Sequence, residues 1–598
     1  MGTINRFKQA RTLFLMLPAL LAGCASLKPH PAAPPATGDP TALTITAEAA
    51  LKRGDCRVAA EDYARAATTG DARLARRATE VALACEHLPA AWEAATRWRT
   101  LAPEDRDANA LYALVALKLY RTADARVAVR DYCRAALAAS TSASTPASAP
   151  ASTPANTPAD APRRSRPGRD QGVRALGDLI ALLLEETDAA AVLTTMSAVP
   201  EPTAKEPQAL AMFGELALAA YDGKRAEDFA QQALARDPKD FAALRVLARA
   251  QVLRGDATRA IATARSAAAV DAVRGGLELA EVLASLDRVE EAHQQLESLR
   301  AGAVPAGEIE RRLALLAFQS GDLKEAQRRF AALLTSGEGN EAAQLYLADI
   351  AARDGDPERA IAEYRRLYDS SVAVPARSRA AALLLERTAR ADSARTEALT
   401  LLDDYAAEHP EEELRLTLAK AHLLADHGDA DASLKVLATA LERHPQHPSI
   451  EYDRAVILDQ AGHVHESVSA LEQLLAQRPD DPSLQNALGY TLADHSLELP
   501  RAEGLIRRAL TVMPDSPAAL DSLGWVHFRR GDARSAAGTL ERAYSIDHDA
   551  EIAAHWGEAL WVSGVQGEAR KVWAAALARE PQSRPLKATL ERLIPDAK

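Results

Sequence analysis

The chain has 598 residues and a formal charge of −12, with 48% hydrophobic, 26% charged and only 4% aromatic residues. Ala, Leu, Arg and Glu dominate, which suits helices and argues against an all-β fold. Four cysteines are too few for a disulfide framework, and an acidic chain without a basic stripe is no nucleic-acid binder.

Arg6, Lys8 and Arg11 form a basic region ahead of the apolar run LFLMLPALLA at 13–22. That run is too short to cross a bilayer of about 30 Å as a helix, and residues 1–23 have the layout of a signal peptide. The run ends in Leu21-Ala22-Gly23-Cys24, which resembles a bacterial lipobox. The resemblance implies that Cys24 is diacylated and becomes the new N-terminus. Ala25 at the next position implies sorting to the periplasmic face of the outer membrane. Acyl chains hold a protein by about 0.8 kcal/mol per buried CH₂, so more than one chain makes a stable anchor. Residues 24–41, the lipidated Cys followed by a Pro- and Ala-rich stretch, are expected to be an extended tether.

From residue 42 the chain repeats with a period near 34 residues. The marker is a turn glycine: Gly54, Gly255, Gly321, Gly355, Gly428, Gly462, Gly531 and Gly564. Glycine takes the left-handed conformation that closes a helix, and the Asp that often follows starts the next one. Five residues after each glycine stands a small residue: Ala59, Ala260, Ala326, Ala360, Ser433, Ser467, Ala536 and Ala569. Such residues let paired helices approach closely. Prolines such as Pro410, Pro445, Pro479 and Pro514 stop many of the second helices.

This pattern resembles the tetratricopeptide repeat. Residues 517–548 carry Leu520, Leu523, Gly524, Ala536, Leu540 and Ala543 at the family's positions. Residues 550–581 carry Trp556, Gly557, Leu560, Ala569, Trp573, Ala576 and Pro581. The resemblance implies an all-α, superhelical tetratricopeptide-repeat solenoid of about fifteen helix pairs. Its expected divisions are degenerate N-terminal repeats at 42–138, a disordered Ala/Ser/Thr/Pro linker at 139–169, central repeats at 170–410, the best-matching C-terminal repeats at 411–581, and a capping helix and tail at 582–598. The proline-rich stretch 198–207 is expected to be an inter-repeat loop.

Cys56 and Cys85 fall in adjacent repeats. They form either a disulfide, which an oxidising compartment permits, or two buried thiols; Cys133 is left as a core residue. No nucleotide, hydrolase, metalloprotease or dinucleotide fingerprint occurs. His463 and His465 would point apart on a helix, so neither a metal nor another cofactor is expected. The repeats leave no stretch for a catalytic domain, so the chain is read as no enzyme. Function then falls to the inner face of the first helices. In repeats of this type that face is lined by Tyr452, Asp459, Asn486, Tyr490, Asp494, Asp521, Trp525, Phe528, Arg529 and Trp561. Aromatics with a few charges suit a protein-binding surface, although Trp525 and Trp561 could equally pack between repeats.

The motifs NALGYTLAD at 486–494 and ALDSLGWVHFRRGD at 519–532, together with the anchor and the array, resemble a family of tetratricopeptide outer-membrane lipoproteins. These bind the periplasmic carboxy-terminal processing protease. The resemblance implies an adaptor that gathers peptidoglycan hydrolases as clients and promotes their degradation. The competing class is a structural scaffold lipoprotein for an envelope assembly, polysaccharide export or cell-wall synthesis machine.

Overall fold

The computed structural model describes residues 39–142, 167–302, 304–337, 341–387, 392–580 and 583–594. The signal segment, Cys24 and most of the tether and linker lie outside them. Among the described residues there is no strand. The described residues form fifteen successive helix pairs, from Pro40–Lys52 with Cys56–Ala66 to Ala550–Val562 with Gln566–Arg579. A single helix, Arg584–Leu593, then covers the last pair with a fully buried Leu586. This is an all-α array of tetratricopeptide type. Among the described residues no helix is long and apolar enough to cross a membrane.

Three boundaries differ from expectation. The first helix begins at Pro40, inside the expected tether, because Asp39 accepts the Thr41 N–H at 2.9 Å and proline suits a first turn. Helix Thr122–Ser142 runs beyond 138 on its alanine-rich sequence, and the next helix starts at Pro167. The 198–207 stretch is no plain loop: it holds the one-turn helix Glu201–Ala204, and Pro207 opens the helix that follows.

All eight marker glycines have φ between +75° and +89°, and all eight small residues after them are fully buried. At Gly255 the N–H donates to the Val252 carbonyl at 2.8 Å, and the next N–H donates to the Gln251 carbonyl at 2.8 Å. Asp256 then caps the following helix by accepting the Arg259 N–H at 3.0 Å. The same double hydrogen bond closes helices at Glu86, Tyr120, Tyr221, Asp287 and Ser496, with φ between +50° and +58°. A side chain costs about 1–2 kcal/mol in that conformation. Four of these five residues carry a contact that glycine could not make or that reaches another repeat. Glu86 meets Lys118, Asp287 meets Arg579, Ser496 meets Arg529, and the Tyr221 carbonyl accepts from Asp515.

The chain forms two compact units: residues 1–209 with 439–449, and residues 210–438 with 450–598. In the first unit Cys56 and Cys85 form a disulfide, with Cα atoms 5.2 Å apart. Cys133 is buried and free, its thiol pushed up to about 12 by that burial. Lys118 Nζ lies 3.3 Å from Glu86 and 3.0 Å from Glu186, and His447 Nε2 lies 3.8 Å from Glu86. Burial resists ionisation of Glu86, but His447 and Lys118 outweigh it and hold the carboxyl at about 2. A depressed carboxyl contributes stability above its unfolded value of about 4.3 and loses it as pH falls towards the folded value. Lowering the pH from about 5 to 2 should therefore remove roughly 3 kcal/mol from the first unit. Glu86→Gln should flatten that slope in urea unfolding; an unchanged slope would assign the acid sensitivity elsewhere.

In the second unit the array comes round on itself. The Asp515 N–H donates to the Tyr221 carbonyl at 2.9 Å, and Asp515 Oδ2 accepts the Gly223 N–H at 3.0 Å. Arg579 reaches Asp287 at 3.1 Å. The Gly223–Asp515 and Asp287–Arg579 pairs are each separated by 292 residues. One superhelical turn thus takes 292 residues, and it borders an open inner cavity of about 1050 Å³.

Candidate functional site

The C-terminal first helices present their inner residues because each sits tightly on its own partner helix. A Cβ at Gly489 would lie 2.6 Å from Ile506, at Gly524 2.5 Å from Leu540, and at Gly557 2.0 Å from Trp573. Only glycine allows this approach. The opposite faces of helices Pro482–Asp494, Pro517–Arg529 and Ala550–Val562 then line up in register.

On that face the structure brings six of the expected residues together. Trp525 stacks on Phe528 at 5.0 Å, and its indole N–H donates to Asp494 at 3.0 Å. Arg529 donates to the Ser496 hydroxyl at 2.7 Å and lies 5.7 Å from the Trp525 ring centre. The Tyr490 hydroxyl donates to Glu551 at 3.0 Å. His555 Nδ1 lies 3.0 Å from Asp521, and its ring stacks on Trp525 at 4.1 Å. His555 and Glu551 were not singled out from sequence. The Asp521–His555 spacing of 34 residues, one repeat period, was the available clue.

The other residues sit as follows. Tyr452 packs half-buried against the same apolar cluster as Trp525. Asp459 accepts from His495 at 2.8 Å. The Asn486 side-chain carbonyl is buried without a hydrogen-bond partner among the described residues. Trp561 leans on Trp573 at 5.7 Å, with Arg570 5.1 Å over its ring. Trp525 is only 5% exposed and Asp521 7%. Neither is a free anchor: a large ring and a carboxylate at the centre of a stack are covered by their neighbours. The surface left open is Tyr490, Phe528, Asp494 and Arg529, half-buried, rimmed by exposed Glu551.

Burial works against a charge on His555, but the Asp521 carboxylate beside it outweighs this and raises its pKa. A raised histidine contributes stability below its unfolded value of about 6.5, and that stability is lost as pH rises through the folded value. The second unit should thus soften as pH climbs above neutrality. Asp521→Asn should abolish that slope and lower the His555 titration midpoint followed by NMR; an unmoved midpoint would refute the pairing. Among the described residues no group of three or more His, Cys, Asp or Glu side chains could hold a metal.

The sequence matches tetratricopeptide-repeat families over residues 311–375 and 424–489. It is 30% identical over 218 residues to the TPR repeat-containing protein PA4667 of Pseudomonas aeruginosa, covering 36% of this chain and 36% of that protein. The chain therefore spans about a third of the curated relative it matches. Solved structures that align with it include yeast Tom70, at 14% identity over 71% of this chain and 94% of that one, with a TM-score of 0.34. Another is the Cut9–Hcn1 hetero-tetramer of APC/C, at 14% identity over 93% and 97%, with a TM-score of 0.30.

Proposed function

We propose that this chain is a non-catalytic, lipid-anchored adaptor at the periplasmic face of the outer membrane. It binds a carboxy-terminal processing protease together with client peptidoglycan hydrolases and promotes the clients' degradation. Tetratricopeptide arrays are protein–protein interaction scaffolds, and the chain matches such repeats over residues 311–375 and 424–489. The observation that carries the reading is the aromatic and acidic face around Tyr490 and Phe528, the kind of surface on which a few residues dominate binding. The lipobox at Cys24 supports the anchor, and the Cys56–Cys85 disulfide suits an oxidising compartment. Such an adaptor needs no chemistry: holding protease and client on one scaffold raises their mutual concentration to roughly the millimolar scale.

Affinity purification of the detergent-solubilised protein tests this. It should recover a serine protease with wall hydrolases, and deletion of the protein should make those hydrolases accumulate. Recovery of export or envelope-assembly components, with unchanged hydrolase levels, would replace the adaptor with a structural scaffold. The double variant Tyr490→Ala/Phe528→Ala should weaken partner capture roughly tenfold to a hundredfold, as loss of two binding anchors does, while circular dichroism stays unchanged.

A further inference from the structure

Five charged residues of the second unit's inner cavity stand on the first helices of consecutive repeats: Glu215, Arg249, Glu278, Glu281 and Arg312. The facing wall is formed by residues 545–549 and 579–580, from one superhelical turn further along the chain. Seven carboxylates face the cavity against four guanidinium groups and no lysine.

The guanidinium groups are already committed. Arg249 holds Glu278 and Glu281, each at 2.6 Å, Arg312 holds Glu308 at 2.7 Å and also Glu281, and Arg579 holds Asp287 at 3.1 Å. Arg353 lies over the Phe318 ring at 4.2 Å. Asp547 and Glu580 have no ion-pair partner among the described residues. Burial, reinforced by the nearby Asp549, pushes both carboxyls up, although His548 and Arg353 respectively lie close enough to oppose this. The cavity is thus short of positive charge, and its low-dielectric walls focus the negative field on whatever enters. Between the charged groups it offers apolar surface from Leu218, Val252, Leu253 and Phe318.

We infer that this cavity seats a single extended polypeptide strand in which apolar side chains alternate with lysine or arginine. The strand is single and extended because a cavity of about 1050 Å³ is far too small to hold a folded domain. The inference rests on the reading of the chain as a polypeptide-binding scaffold, but it uses residues other than the aromatic face.

The test uses the full chain and a fluorescent, unstructured peptide alternating lysine with leucine, read by anisotropy. A glutamate counterpart and a folded, disulfide-locked basic protein serve as controls. The lysine peptide should bind, and Asp547→Asn/Glu580→Gln should weaken it at least tenfold with an unchanged melting temperature. Neither control should bind. A photo-crosslinker in the peptide should label residues between 215 and 320, Arg353, residues 545–549 or residues 579–580. Full affinity in the double variant, equal binding of either control, or labelling elsewhere would overturn the inference. The Tyr490→Ala/Phe528→Ala variant should keep peptide binding while losing partner capture. Loss of peptide binding in that variant would place the peptide on the aromatic face and also overturn the inference. Failure of capture alone would touch only the adaptor reading.

Discussion

Trp573→Ala is expected to destabilise the second unit by about 3–5 kcal/mol, the range for emptying a large aromatic site in a core. The Trp573 ring is 1% exposed and fills the space beneath Gly557. Its N–H reaches the Ala554 carbonyl at 3.5 Å, and Trp561 leans on it from the inner face. Because each repeat is held mainly by its neighbours, helix Ala550–Val562 and the terminal helix should lose hydrogen-exchange protection before the rest of the unit. Gly557→Ala alone should cost about 1–3 kcal/mol, since its methyl would collide with the indole. Combined with Trp573→Ala, the same methyl enters vacated space, so the double variant should lose less than the two single losses together. Strict additivity would mean that Gly557 and Trp573 do not pack as described.

Asp515→Ala should cost about 3 kcal/mol, because it strands the buried Gly223 N–H and leaves Arg542 without its partner carboxylate. Asp515 is 3% exposed, so water cannot replace the lost acceptor without opening the contact. Hydrogen exchange at the Gly223 amide should accelerate in step with the loss of stability. Asp515→Asn keeps an acceptor and removes the charge, so it should show a smaller effect on both measures. If the Gly223 amide stays protected in the alanine variant, the turn is not closed through this carboxylate.

The repeat architecture was legible because it is written in local chemistry. Each of the eight glycines closes its helix in the left-handed conformation, and each small residue five positions later is fully buried. Turns at Glu86, Tyr120, Tyr221, Asp287 and Ser496 escaped, because a search for glycine cannot find a residue held left-handed by its surroundings. How the expected inner-face residues cover one another was not legible. The sequence left Trp525 open between binding and packing; stacking by Phe528 and His555 covers it, with Asp521 beside it, and leaves Tyr490 and Phe528 open.

Sequence alone determined the helical class, the pairing of helices and the small-over-large packing within each pair. All of these depend on side chains only a few positions to one repeat apart. Only the tertiary structure decided that Asp515 meets Tyr221 and Gly223, that Arg579 meets Asp287, and that an open acidic cavity is bordered by the turn they complete. The small rotation between one helix pair and the next leaves no mark in any single repeat. Summed over 292 residues it brings the chain back to its starting point, and that sum sets which side chains meet.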